Sequence, residues 1–395
     1  MAENWYVLGG VEKKLGLADK TIDSFVLGTT MPVWRGTNNV ANNVGCLYNV
    51  TRTTVGSITQ ASGAVHQNLD IPFQVTITQP NQSFINCRFT YSHSAASDGG
   101  MVYCMSAAGQ GTYFERCEFE PTNPGERYNG IYGHHFTAYR CAITKTVDGF
   151  GAYNSNAQPV NIVVQGCWVG YLAWFDSDGV HLTGTLGTHN DGIQWGSGTS
   201  VTVDGCFWQG AKFNALNPTN CVLTSDYMDF TLATGNGVTP LIANPSTLST
   251  ENRAAQQGQL FLGQHSAYFH VSNITYRRNW LWNCDHGFKL QSNRSSSVAP
   301  EGTTGLSIID TVVFEDNIFG GTPRNWGSSL LYYPVRYDSN CIVNGVQYPS
   351  GGTFFTDTHN NVWDINANVA ATYGDSQPIA GYPVRHRVDS VLAPY

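Results

Sequence analysis

The sequence predicts an all-β chain wound as a single-stranded parallel β-helix, with a small N-terminal cap or adapter segment. Three observations carry this. A short phrase around a cysteine or asparagine recurs down the chain, a polar-Gly-apolar phrase recurs between its copies, and no 3.6-residue apolar period appears.

The first phrase is Phe84-Ile85-Asn86-Cys87-Arg88-Phe89, matched by Phe114-Glu115-Arg116-Cys117-Glu118-Phe119. Further copies centre on Cys141, Cys167 and Cys206. Asparagine then takes the cysteine position at Asn279 and Asn317, and Asn361 before Val362-Trp363 reads as a last, degenerate copy. With that position called zero, apolar residues recur at −5, −3 and +2, as in Ile162, Val164 and Val169, or Val201, Val203 and Trp208. One flat strand would point −3 and +2 to opposite faces. A bend at −2/−1, where Gln165-Gly166, Asp204-Gly205 and Glu315-Asp316 stand, restores a shared interior.

The second phrase is Asn129-Gly130-Ile131, Asp148-Gly149-Phe150, Asp191-Gly192-Ile193 and His286-Gly287-Phe288. Each period therefore holds about three short strands. Repeats of roughly 20–50 residues mark solenoids and propellers, and the uneven spacing here favours a solenoid whose loops swell on one side.

The chain has 395 residues, of which only 12% are charged. Its polarity rests on amides and hydroxyls, which suit stacked strands because like charges one rung apart repel. Equivalent positions stack about 4.8 Å apart. Cys87, Cys117, Cys141, Cys167 and Cys206 should then form an inward ladder of reduced thiols, since parallel stacked side chains fit disulfide geometry poorly. The net charge of −8 and the lack of a basic stripe argue against nucleic acid as partner. No transmembrane run is seen. The N-terminus lacks the basic start and apolar centre of a signal peptide, so export by the usual route is not expected.

Residues 1–45 fall outside the repeat and read as a cap or particle-attachment segment that includes a short helix. The β-helix spans 46–365, with 222–265 as a loop insertion, and 366–395 reads as an irregular tail.

The run from Asn68 to Phe89, the Cys rungs and His189-Asn190-Asp191-Gly192-Ile193-Gln194 resemble pectin-lyase-like right-handed β-helix proteins. More narrowly, the chain is similar to minor tail proteins of actinobacterial phages that carry this fold, over roughly residues 50–330. His189, Asp191 and Gln194 match the family phrase position by position. The Asp-Asp, Gly-His-Gly and Arg-x-Lys set of polygalacturonases is missing, as is a lyase-type Arg-Pro-Lys arrangement, which weighs against a plant-wall pectinase. The resemblance implies a right-handed coil and a place in the virion. It also implies other tail proteins and a host-envelope glycan as partners, and a homotrimer; no heptad stretch supports the trimer independently.

Two chemistries suit such a surface. A glycosidase needs two carboxyl groups roughly 5–9.5 Å apart, and an eliminating lyase needs a base and neutralisation of the uronate. Asp176, Asp178, Asp191 and His189 are the catalytic candidates. The opposing reading is that Asp-Gly is turn chemistry, so Asp148, Asp178 and Asp191 need no function. Trp168, Trp174, Trp195 and Trp208 offer stacking faces, but the parity of Trp195 and Trp208 favours the core. Outward parity picks Tyr132, Gln194 and Lys289 as one surface column, and with Trp174 these are the glycan-binding candidates. His134-His135 lacks ligand spacing and reads as one inward and one outward strand residue. No metal and no cofactor is expected. The functional expectation is a tail spike or minor tail protein that binds envelope glycan, with a polysaccharide-degrading enzyme of the same fold as the alternative.

Overall fold

Each turn of the chain enters the bend through one strand and leaves it through another, as the parity argument requires. The structure is a computed structural model. It describes residues 5–8, 11–14, 25–30, 32, 43–47, 50–92, 99–104, 110–122, 128–152, 159–170, 172, 191–195, 199–209, 260–264, 271–282, 286–292, 307–320, 333–337, 341–343, 346–347, 362–365 and 384–386. Among these residues every regular element is a strand.

The strands form a right-handed parallel β-helix of three sheets. The first sheet holds the strands before the bend, from Val65–Gln67 through Thr112–Glu115 and Thr199–Asp204 to Cys341–Val343, closed by the antiparallel Val346–Gln347. The second holds those after it, from Thr53–Thr54 through Trp168–Gly170 to Val384–His386. The third carries the polar-Gly-apolar phrase, from Val75–Thr76 through Tyr128–Gly133 to Tyr333–Tyr337. Register is in phase: Phe84 pairs with Phe114, then Ala138, Val164, Val203, Tyr276 and Phe314 follow in one line.

The bend falls at −1. Asn86, Arg116, Arg140, Gly166, Gly205, Arg278 and Asp316 all take the left-handed conformation, with φ between 48° and 63°. That turns the chain within one residue, so −3 and +2 both face inward. Ile162, Val164, Val169, Val201, Val203 and Trp208 are all buried in one core with the cysteines. Aromatic rings stack rung on rung inside it: Phe84 on Phe114 at 5.3 Å, Phe89 on Phe119 at 4.8 Å, Tyr276 on Phe314 at 5.6 Å.

Cys87, Cys117, Cys141, Cys167 and Cys206 are buried, unpaired thiols, as the stacking argument predicts. Burial pushes the Cys117, Cys141 and Cys167 thiols well up, which keeps them protonated. Each rung's zero residue serves the rung before it. Cys167 Sγ lies 3.3 Å from the Cys141 N–H it accepts and donates to the Ala138 carbonyl at 3.4 Å. Asn279 repeats both contacts, accepting from Cys206 N at 2.9 Å and donating Nδ2 to Val203 O at 3.2 Å. Asn317 does so again for Asn279 and Tyr276. A thiol and a carboxamide each offer one donor and one acceptor here, which is why one replaces the other up the ladder.

Several details depart from the sequence reading. Trp5–Leu8 and Val11–Lys14 pair as two antiparallel strands, and the rest of the charged stretch in which a short helix was expected lies outside the described residues. The expected insertion 222–265 contains a strand, Leu260–Gln264, in register with Ile193–Trp195. The expected tail contains another, Val384–His386, which pairs with Val362–Ile365. Ile318 pairs with Val362, so the Val362-Trp363 strand continues the second sheet, while Asn361 itself lies outside the described residues. The N-terminal end of the solenoid is closed by residues 55–64. Val55 and Ile58 pack on the core, Gln82 donates to the Ala61 carbonyl, and His66 stacks on Phe84 at 4.7 Å. Residues 25–30 and 43–47, which straddle the expected boundary at 45, run along the outer side of the bend.

Candidate functional site

The third sheet aligns one register position across its coils. Tyr103 pairs with Tyr132, Tyr132 with Gly151, Gly151 with Gln194, Gln194 with Phe261, Phe261 with Lys289 and Lys289 with Arg336. The predicted column of Tyr132, Gln194 and Lys289 is therefore continuous in register. It also includes Tyr103, Phe261 and Arg336, which the sequence reading missed. The signal was available: each stands two residues past the Gly of the polar-Gly-apolar phrase, or at the matching place in a coil that lacks it.

Tyr103, Tyr132 and Gln194 are half-buried and lie on rigid strands. The Tyr103 and Tyr132 rings meet edge to face, with centroids 5.5 Å apart. Gly151 makes room for them, because a β-carbon there would fall 2.7 Å from Tyr132 Cδ2. The result is a pair of amphipathic rings, with the Gln194 amide two register positions further along the same line. Such a surface can stack on an apolar sugar face and exchange hydrogen bonds with hydroxyls.

Asp191 belongs to a different structure. Asn129, Asp148 and Asp191 are all buried at the corner where chains enter the third sheet, and Asp191 is only 2% exposed. Asn129 donates Nδ2 to the Gly99 carbonyl at 2.9 Å, and Asp148 Oδ1 accepts the Asp191 N–H at 2.8 Å. The following glycines are sterically required. A β-carbon on Gly130 would meet Gly149 O and Ile143 at 2.8 Å, and one on Gly149 would meet Gly192 O at 2.5 Å. Through Asn129 and Asp148 the Asx-Gly phrase thus ties rung to rung.

Asp176, Asp178, His189 and Trp174 lie outside the described residues, in the connection from Trp168–Gly170 to Ile193–Trp195. Long connections recur at this corner between the second and third sheets, as in 210–259 and 321–332, whereas 144–147 crosses it directly. Long loops over a rigid scaffold are where function concentrates. Lys289 is placed by its strand register alone.

Trp168 and Trp208 offer no stacking face. Trp208 lies in the core as parity predicts, while Trp168 is 2% exposed and packs with Val44, Ala142, Phe207 and Trp280 on the outer side of the second sheet. His134 and His135 do not sit in a strand. They form the bend after Tyr128–Gly133, with His135 at φ 62° and the two rings in contact through Nδ1. Burial, then the neighbouring ring, lowers His134 to about 4, and burial lowers His135, so the pair is neutral at pH 7. Among the described residues no cluster of three His, Cys, Asp or Glu side chains is placed to hold a metal.

Glu115, in the first sheet, is 3% exposed and raised to about 7. Burial is the main cause. The Tyr113 hydroxyl, donating at 3.3 Å, and the charges of Arg140 and Arg116 oppose it. It lies away from the third-sheet column.

No family model, curated protein or solved structure matches the chain.

Proposed function

We propose that this chain is a virion tail component, a minor tail protein or tail spike, that contacts the host envelope by binding surface glycan along the outer face of the third sheet. The observation that carries the reading is the in-register column with half-buried Tyr103, Tyr132 and Gln194. Preorganised aromatic rings bind sugars with little ordering cost. The assignment to a phage tail, the other tail proteins as partners and the homotrimer rest on the family resemblance of the Cys rungs and of His189 to Gln194.

Binding of the full chain to host-envelope glycans tests this. Tyr132→Ala and Tyr103→Ala should each weaken binding by about tenfold or more, as loss of a central aromatic contact does. Undiminished binding in both variants would overturn the site. Absence of the protein from purified virions would overturn the tail assignment. New reducing ends or unsaturated uronates in the same incubations would establish the polysaccharide-degrading alternative.

A further inference from the structure

Along the outer side of the bend the chain covers itself. Leu47 N donates to Asn86 Oδ1 at 2.7 Å, Cys46 N to Glu118 Oε1 at 3.3 Å and Gly45 N to the Arg140 carbonyl at 2.8 Å. The Asn43 carbonyl accepts from Arg116 Nη1 at 3.1 Å and Arg140 Nε at 2.9 Å. Further up, the Arg140 guanidinium lies 4.6 Å over the Phe25 ring. A β-carbon on Gly166 would meet Phe25 Cζ at 2.7 Å, and one on Gly205 would meet Leu27 Cδ1 at 2.7 Å and Gly28 N at 2.8 Å. Gly28 in turn sits against the Arg278 side chain, which Asp204 holds through Nε at 2.7 Å. Residues 25–30 and 43–47 thus touch the rungs of Cys87, Cys117, Cys141, Cys167, Cys206 and Asn279 in succession.

Two features separate these contacts from the solenoid proper. The rungs bond to one another directly, as Arg116 N to Tyr139 O and Gly166 N to Asp204 O. Lifting the two stretches breaks none of those bonds. The uppermost contacts also exist only once the rung of Asn279 is wound, although residues 25–30 are made long before it. We propose that stretches 25–30 and 43–47 form a clasp that docks after the rungs through Asn279 have been wound, and that opens as a unit without unwinding them. Opening uncovers the stripe of Ala142, Trp168 and Phe207 that Val44 and Phe25 pack against.

Cys46 reports the clasp, because it lies within the second stretch and is fully buried, while the ladder thiols report the core. The test is pulsed alkylation of the full-length protein with peptide mapping of each cysteine. Cys46 should label well ahead of Cys117, Cys141, Cys167 and Cys206. In the double variant Phe25→Ala/Leu27→Ala its labelling should accelerate on the order of 100-fold, since each lost side chain forfeits about a tenfold step or more. The ladder thiols should keep their wild-type rates. Gly205→Ala, which drives a β-carbon into Leu27, should act in the same direction. Labelling of Cys46 and the ladder in one step in the wild-type protein would overturn the proposal, as would variants that accelerate all of them equally.

Discussion

Asn279 accepts the Cys206 N–H and donates to the Val203 carbonyl, in a position without solvent exposure. Asn279→Ala strands both groups, and each buried unsatisfied group costs about 1–3 kcal/mol. The expected loss is about 2–6 kcal/mol in urea unfolding. Asn279→Cys should cost a smaller fraction, because Cys206 already makes the equivalent contacts one rung below. Glu115 gives a pH signature of opposite sense to most carboxylates. Its folded value of about 7 stands above the unfolded 4.5, so its contribution to stability is complete below 4.5 and is lost as pH rises through 7. The loss approaches about 3 kcal/mol. Glu115→Gln should therefore match the wild type near pH 4.5 and exceed it at pH 8, as unfolding midpoints across that range would show.

The elements are short, so corners decide the fold. Gly149 leaves no room for a β-carbon, with Gly192 O at 2.5 Å and Val169 Cγ1 at 2.8 Å, whereas the space around Gly56 is open. Gly149→Ala should destabilise by about 1–3 kcal/mol through overpacking. Gly56→Ala should be neutral or stabilise by less than about 1 kcal/mol. Thermal unfolding of the two variants side by side checks the contrast. This corner chemistry was only half legible in the sequence. The Asx-Gly phrase was plain, but the same residues serve equally as turn and as catalytic pair in one dimension. The rung-to-rung bond from Asp191 N to Asp148 Oδ1 gives the Asp148 side chain a place in the scaffold. The bend at −1 was legible because parity demanded it. The clasp was not, since Phe25 and Leu27 show no periodicity, and the glycines at 166 and 205 that admit them look like ordinary turn residues.

At the scale of the molecule, the repeat alone predicted the solenoid, its interior and its reduced cysteines. That stacking follows from local pattern because each rung meets only its neighbours. Cys87, Cys117, Cys141, Cys167 and Cys206 should resist alkylation in the native protein under both oxidising and reducing conditions and react fully after denaturation. A mapped disulfide between any two would contradict the ladder. The position of the end closure and of the flank segment depended on long-range contacts that no phrase announces, such as Leu47 with Asn86 and Val55 with the core.

On the proposed function, the register line from Tyr103 to Arg336 would act as a ruler. Its graduations are single rungs about 4.8 Å apart, so it measures roughly 30 Å from end to end. A glycan bound along it would then be read by length as much as by chemistry. Affinity for a homologous series of oligosaccharides should climb with each added sugar until the chain outruns the graduations, and then level off.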